Sequence, residues 1–310
     1  MTTTPIRDEA SFLAEHADLP DDLEMAPGVT VAQVRAMLRR PEVDPDGARF
    51  VPSVAYSTAA GEIGQMALYA RRDPTERGPI VVFAHGGGFN SGNHFTAIRY
   101  IAPLASRGFV TATITYRLAG EAPWPAPLED AKCAVRWLRT HAHELGGDPD
   151  RIVMAGDSAG AHLSVMAALT PGQFEGDGGC HDVSSAIQGA VLFYPPVDME
   201  STAAHAAAQG MPDLYDYFGD EIATASPINH VRSECPPILT LTGADDVLTP
   251  AADMERFHAV LEAAGVKNRL VVFPGAGHSF DFHPKQFERC LSMVIAFVEE
   301  TVGAPAPAAG

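Results

Sequence analysis

Short apolar runs alternate with stretches of helical periodicity along most of this chain. Residues 80–84 (Ile-Val-Val-Phe-Ala) stop at a row of glycines, and residues 109–116 are β-branched and follow Gly108. Residues 152–155, 190–193, 238–241 and 270–273 repeat the pattern. Continuous apolar runs of this length suit strands covered on both faces, as in a parallel sheet. Between them, Leu128, Ala131, Val135, Leu138 and Ala142 recur at spacings of three and four, which predicts a helix over 126–145. Thr249-Pro250 reads as an N-cap followed by proline at the first helical position, opening a helix that runs to about Ala264 and ends at Gly265. A last helix is expected over 284–301. Strand–helix alternation predicts an α/β fold with a mostly parallel central sheet and helices on both faces.

Two segments break the rhythm. Residues 1–50 are loop-rich and end in a helical pattern (Val31, Val34, Leu38 after Thr30). Residues 198–232 insert an Ala-rich piece and Asp213-Leu214-Tyr215-Asp216-Tyr217-Phe218 between two strands. The expected organisation is an N-terminal cap segment over 1–50, a main unit over 51–302 with a cap insertion at about 198–232, and a flexible tail over 303–310. A boundary at 49–52 is the alternative to caps. No internal repeats are found.

Composition narrows the partners. The chain has 310 residues, 46% hydrophobic and 19% charged, as in globular proteins. With 21 Lys and Arg against 39 Asp and Glu, its net charge is −18. A polyanion needs a basic track, so nucleic acid is not an expected partner. The same charge disfavours anionic membranes. The seven carboxylates from Asp8 to Glu24, with no Lys or Arg among them, read as a solvated helix face. The start, Met1 to Asp8, does not resemble a secretory signal, and no apolar stretch is long enough for a transmembrane helix. Cys133, Cys180, Cys235 and Cys290 lie far apart and match no zinc or redox spacing, so a cytoplasmic location with reduced thiols is expected.

Gly156-Asp157-Ser158-Ala159-Gly160 fits G-x-S-x-G between an apolar strand and a helix-like run. A serine on such a turn is held in strained backbone, and flanking glycines let strand and helix approach closely. The following helix directs its N-terminus at developing negative charge. His85-Gly86-Gly87-Gly88-Phe89 directly ends another strand. Consecutive glycines free backbone N–H groups to converge as an oxyanion hole, with Gly86, Gly87 and Ala159 as the expected donors. No G-K-[ST] follows, which excludes a P-loop. His85 reads as a brace for the loop.

An acid and a base are expected to follow the serine in that order. Asp245 and Asp246 follow the strand at 238–241, and Asp246 is the expected partner of the imidazole, with Asp245 as a loop or capping residue. His278, in Pro274-Gly275-Ala276-Gly277-His278-Ser279-Phe280, follows the strand at 270–273 on a loop that can reach across the sheet edge. The other histidines, His162 and His230 among them, lack this placement. His141 and His143 lack helical metal-ligand spacing and read as an exposed helix end.

Together these motifs resemble the α/β-hydrolase superfamily, and within it the hormone-sensitive-lipase-like (family IV) carboxylesterases. Tyr116-Arg117-Leu118-Ala119, Trp124-Pro125-Ala126, Leu128-Glu129-Asp130-Ala131 and Gly147-Asp148-Pro149 extend the resemblance. Ala161 and Gly120 depart from it, and the stretch from Leu169 to Ala186 resembles the feruloyl-esterase-like and kynurenine-formamidase-like hydrolases. The resemblance implies a cofactor-independent and metal-independent serine esterase with Ser158, Asp246 and His278 as its triad, acting on small acyl or aryl esters. An amidase or formamidase with the same triad is an alternative. A ligand-binding protein that has lost catalysis is disfavoured, because all three triad residues are present. Phe89, Trp124, Tyr194, Tyr215, Phe218 and Phe282 are the expected substrate-binding residues. A homodimer is left open.

Overall fold

The computed structural model describes residues 20–26 and 29–305. A short ribbon, β1 (Glu24–Ala26) and β2 (Val29–Thr30), precedes helix α1 (Val31–Leu38). The strands that follow are β3 (Ala48–Ala55), β4 (Gln65–Arg71), β5 (Gly78–Ala84), β6 (Val110–Ile114), β7 (Gly147–Asp157), β8 (Gly189–Phe193), β9 (Ile238–Gly243) and β10 (Asn268–Phe273). The larger helices are α2 (Ile98–Ala105), α3 (Ala126–Leu145), α4 (Ala159–Leu169), α5 (Met199–Ala208), α6 (Ala251–Ala263) and α7 (Pro284–Val302). Strands β3 to β10 form one eight-stranded sheet in the order β10-β9-β8-β7-β5-β6-β4-β3. Pairing is parallel from β10 to β6 and antiparallel at β4 and β3.

Both faces of the sheet are buried, which is why its strands read as unbroken apolar runs. On β5, Ile80 and Val82 pack on one face with Leu128 and Val135 of α3, Leu163 of α4 and Phe257 of α6. Val81 and Phe83 pack on the other face with Ile98 and Ile101 of α2 and Val294 and Val298 of α7. Every residue of α4 is buried, as its apolar make-up on all sides requires. The carboxyl ends of β5, β7, β9 and β10 open onto one edge of the sheet, where open α/β sheets place their ligands.

All the apolar runs become strands β5 to β10, most of them longer than the run, while the run at 109–116 is trimmed to 110–114. Strands β3 and β4 are additions to the sequence reading. The first is half exposed and interrupted by Pro52, with an irregular register between Val51 and Val54, so its pattern is weak. The alternative boundary at 49–52 falls inside β3, where Arg49 pairs with Ala70 and Phe50 with Tyr69. The helical pattern after Thr30 becomes α1, which Thr30 caps in a reciprocal box with Gln33. Helix α3 ends at Gly146, which takes the left-handed conformation (φ 74°) that glycine adopts without steric cost.

Thr249 is a correction. Helix α6 starts after Pro250 and has no side-chain cap. The Thr249 hydroxyl instead reaches Asp246 Oδ2 at 2.9 Å. Residues 1–19, which carry the N-terminal start and most of the acidic run, lie outside the described residues, as do residues 306–310 of the tail. Among the described residues, no helix is long and apolar enough to cross a membrane.

Candidate active site

Ser158 sits between β7 and α4 with φ 48° and ψ −116°, a backbone conformation that costs energy in any non-glycine residue. The turn is possible because its glycines touch backbone. A Cβ on Gly156 would lie 2.4 Å from the Gly160 carbonyl carbon, and one on Gly160 would lie 2.1 Å from the Ala84 oxygen. The Ser158 amide is tied to the Phe193 carbonyl (2.9 Å), fixing the elbow to the end of β8.

His278 Nε2 lies 3.1 Å from Ser158 Oγ, and His278 Nδ1 lies 2.7 Å from Asp246 Oδ2. The loops after β9 and β10 meet closely enough for this because Gly243 lacks a side chain: a Cβ there would lie 2.1 Å from the Ala276 oxygen. Asp246 Oδ1 accepts the amides of Leu248 and Thr249, each at 2.9 Å. These donors and His278 hold the carboxyl pKa below its ordinary value against the opposing effect of burial. Asp245 is exposed, and its amide donates to the Ala276 carbonyl. The aspartate expected from sequence is therefore the one that meets the imidazole.

Behind His278 lies a buried network that sequence reasoning missed. Asp281, with no solvent exposure, accepts from Arg99 Nη2 (2.6 Å), Tyr100 Oη (2.8 Å) and Tyr194 Oη (2.6 Å). The Tyr194 ring packs against the His278 ring at 4.5 Å between centroids. Tyr194 was expected to line a substrate pocket. It is fully buried instead, with its hydroxyl committed to Asp281, so it supports the histidine from behind. Phe282 is also displaced from its expected role, since its ring covers Arg99 at 3.6 Å.

The His85 loop departs from expectation at one position. Gly86 was an expected oxyanion donor, but its amide donates to Asp157 Oδ1 at 3.0 Å and is unavailable. The amides of Gly87 and Gly88 have no acceptor among the described residues, and the amide of Ala159 is an orphan of the first helical turn. Both glycines have positive φ (122° and 59°), which permits the loop to fold back on itself. His85 is the expected brace. It is buried, its Nδ1 donates to the Gly86 carbonyl (2.7 Å), and its ring stacks on Tyr116, whose hydroxyl donates to the His85 carbonyl (2.6 Å). Burial pushes its pKa down to about 4, so the ring is neutral.

Burial raises the Asp157 carboxyl to about 6, against the opposing pull of Arg99, the Gly86 amide and His278. A carboxyl raised on folding contributes stability that is full below the unfolded value of 3.8 and is lost as pH rises through about 6. Asp157→Asn keeps an acceptor for Gly86 and removes the buried charge. Its stability relative to wild type is expected to rise by up to ~3 kcal/mol between pH 4 and pH 8, read from urea midpoints. A difference independent of pH would contradict this.

Phe89, Trp124 and Phe218 are brought together, but as a packed cluster with His162 and Tyr217 rather than as walls of a wide pocket. Tyr215 is buried beside them, with its ring 6.4 Å from that of Phe218. Leu214 reaches the glycine loop after β5: a Cβ on Gly88 would lie 3.2 Å from Leu214 Cδ1. Among the described residues, no group of three or more His, Cys, Asp or Glu side chains is placed to hold a metal ion.

A mostly parallel eight-stranded sheet, with a strained serine after β7 and an acid and a histidine after β9 and β10, defines an α/β-hydrolase. The BD-FAE family pattern matches residues 66–261, and the chain belongs to that family. Esterase LipQ of Mycobacterium tuberculosis is 32% identical over 218 residues, 67% of this chain and 52% of LipQ. Carboxylesterase NlhH of the same species is 46% identical over 95 residues, 29% of each chain. The chain spans about half the length of the first curated relatives it matches. In three dimensions it resembles the apo form of Thermogutta terrifontis esterase 2, with TM-score 0.72, 28% identity, and coverage of 86% of this chain and 100% of that one. A truncated carbohydrate esterase from gut microbiota gives TM-score 0.71 at 27% identity, covering 84% and 99% respectively.

Proposed function

We propose that this chain is a serine carboxylesterase that hydrolyses small acyl or aryl esters without a cofactor. The observation that carries this reading is the continuous hydrogen-bonded line from Asp246 through His278 to Ser158 Oγ, at 2.7 Å and 3.1 Å. His278 Nε2 takes the hydroxyl proton as Ser158 Oγ bonds to the ester carbonyl carbon. Charge on the carbonyl oxygen is met by the amides of Gly87, Gly88 and Ala159. The tetrahedral intermediate collapses as His278 passes its proton to the leaving alcohol. Water then repeats the sequence on the acyl-enzyme, releasing the acid and restoring the serine. Asp246 stays ionised and stabilises the imidazolium while fixing its tautomer.

The segment 198–232 acts in this proposal as a cap, because it sets Leu214 against the oxyanion loop. In this proposal a cap so close to the loop favours short acyl groups over long ones. Structures of Thermogutta terrifontis esterase 2 with propionate and with butyrate bound give the same direction. A cytoplasmic location also belongs to this proposal, supported by four unpaired cysteines. A panel of p-nitrophenyl esters from acetate to decanoate, with matched anilides and an N-formyl amide, tests the reading. Short esters are expected to be turned over fastest. Rapid formamide cleavage with poor ester turnover would replace esterase by amidase.

A further inference from the structure

Three polar atoms in the aromatic cluster beside Ser158 are buried and have no hydrogen-bond partner among the described residues: Trp124 Nε1, His162 Nδ1 and Tyr217 Oη. Buried orphans of this kind are uncommon and call for a cause. These three belong to rings joined through Phe218. Trp124 and His162 lie 5.4 Å apart, and both touch Phe218, at 5.2 Å and 5.9 Å. Tyr217 packs on Phe218 at 5.1 Å. The cluster adjoins the reacting serine on two sides. His162 lies one turn along α4, with its amide donating to the Ser158 carbonyl (3.0 Å), and Phe89, 5.3 Å from His162, directly follows Gly88 of the oxyanion loop.

The hydrogen-bonding character of each atom is fixed. The Trp124 indole N–H can only donate. His162 Nε2 lies 2.6 Å from the Ala225 carbonyl, which can only accept, so Nε2 carries the proton and Nδ1 offers a bare lone pair. Burial pushes the His162 pKa down to about 4, which keeps the ring neutral. The Tyr217 hydroxyl can do either. Arg117, the cation that acts on Tyr217, is paired with Asp130 at 2.8 Å and Glu129 at 3.4 Å. Rings 5.1–5.9 Å apart are in contact, so only a small group could reach the polar atoms at their edges.

We propose that this cluster is a subsite for an uncharged hydroxyl on the acyl part of the substrate, which accepts from Trp124 Nε1 and donates to His162 Nδ1, with Tyr217 at the entrance. The proposal rests on the esterase reading and narrows its substrate class to short hydroxyacyl esters. A site built around orphaned donors and acceptors discriminates strongly against the analogue that lacks the matching group.

The test compares p-nitrophenyl 3-hydroxybutyrate with p-nitrophenyl butyrate. Wild type is expected to favour the hydroxylated ester about tenfold or more in kcat/KM. Trp124→Phe, and separately Tyr217→Phe, keep the ring and remove the polar atom, and each is expected to bring the ratio toward one. A second arm needs no turnover: NMR titration of Ser158→Ala with methyl 3-hydroxybutyrate and with methyl butyrate. Tighter binding of the hydroxyester, lost in Ser158→Ala/Trp124→Phe, supports the subsite even if wild type hydrolyses neither ester, which would remove the esterase reading alone. Equal affinity for the two methyl esters, or a preference that survives both ring substitutions, overturns the subsite and leaves ordered water as the partner of these atoms.

Discussion

Ser158→Ala is expected to lower kcat by about 10⁴–10⁶ on short p-nitrophenyl esters while leaving the circular dichroism and the urea midpoint close to wild type. The Ser158 hydroxyl bonds to His278 and to no other group among the described residues. Removing it therefore takes away the attacking atom without opening the core. The elbow itself is held by backbone contacts, the Ser158 amide on Phe193 and the close approach of Gly156 to Gly160, which alanine leaves in place. Residual rate from the oxyanion amides and from binding is expected to remain. His278→Ala should cost a similar factor, and the double variant little more than either single one, because the two side chains act on one proton. Additive losses would mean that they do not share a step.

Asp281→Ala is expected to destabilise the fold by about 3–5 kcal/mol, the range for breaking one partner out of a buried ion pair. Asp281 is wholly buried and is the shared acceptor of Arg99, Tyr100 and Tyr194. The Arg99 side chain is only 3% exposed, and its Nε and Nη1 already lack partners among the described residues. Loss of the carboxylate would leave a guanidinium and two phenols buried together without an acceptor. Asp281→Asn keeps an acceptor and is expected to cost less. Activity should fall as well, because Tyr194 backs the His278 ring and would lose the anchor of its hydroxyl. Urea denaturation read by fluorescence measures the first effect. A midpoint unchanged in Asp281→Ala would mean that the network contributes nothing net to stability.

The parts of the molecule legible in the sequence are those set by local chemistry. Apolar runs buried on both faces announce their strands, and glycines forced by backbone contact announce the elbow and the His85 loop. Asp246 and His278 could be read from chain order and from their position just past strand ends. Strand β3 was illegible because an exposed edge strand with Pro52 and an irregular register carries little periodicity, whereas β4 is a buried strand that the sequence reading did not pick out. The Gly86 error has a similar origin. Which amide of a glycine row is free depends on a partner 71 residues away, the Asp157 carboxylate, and no local pattern encodes it. Tyr194 follows the same logic, since it gives its hydroxyl to Asp281, 87 residues along the chain, whereas Thr249 gives its hydroxyl to Asp246 on its own loop. The aromatic candidates divided by long-range packing, which put Phe282 on Arg99 and Phe218 beside Trp124.

The most direct measurement is mass spectrometry of the intact and digested protein after exposure to a fluorophosphonate, which phosphonylates only a serine activated by a neighbouring base. One adduct per chain, located on the peptide containing Ser158, absent from Ser158→Ala and strongly slowed in Asp246→Asn, is the expected result. No adduct on the folded wild-type protein, or an adduct on a different residue, would contradict an activated Ser158.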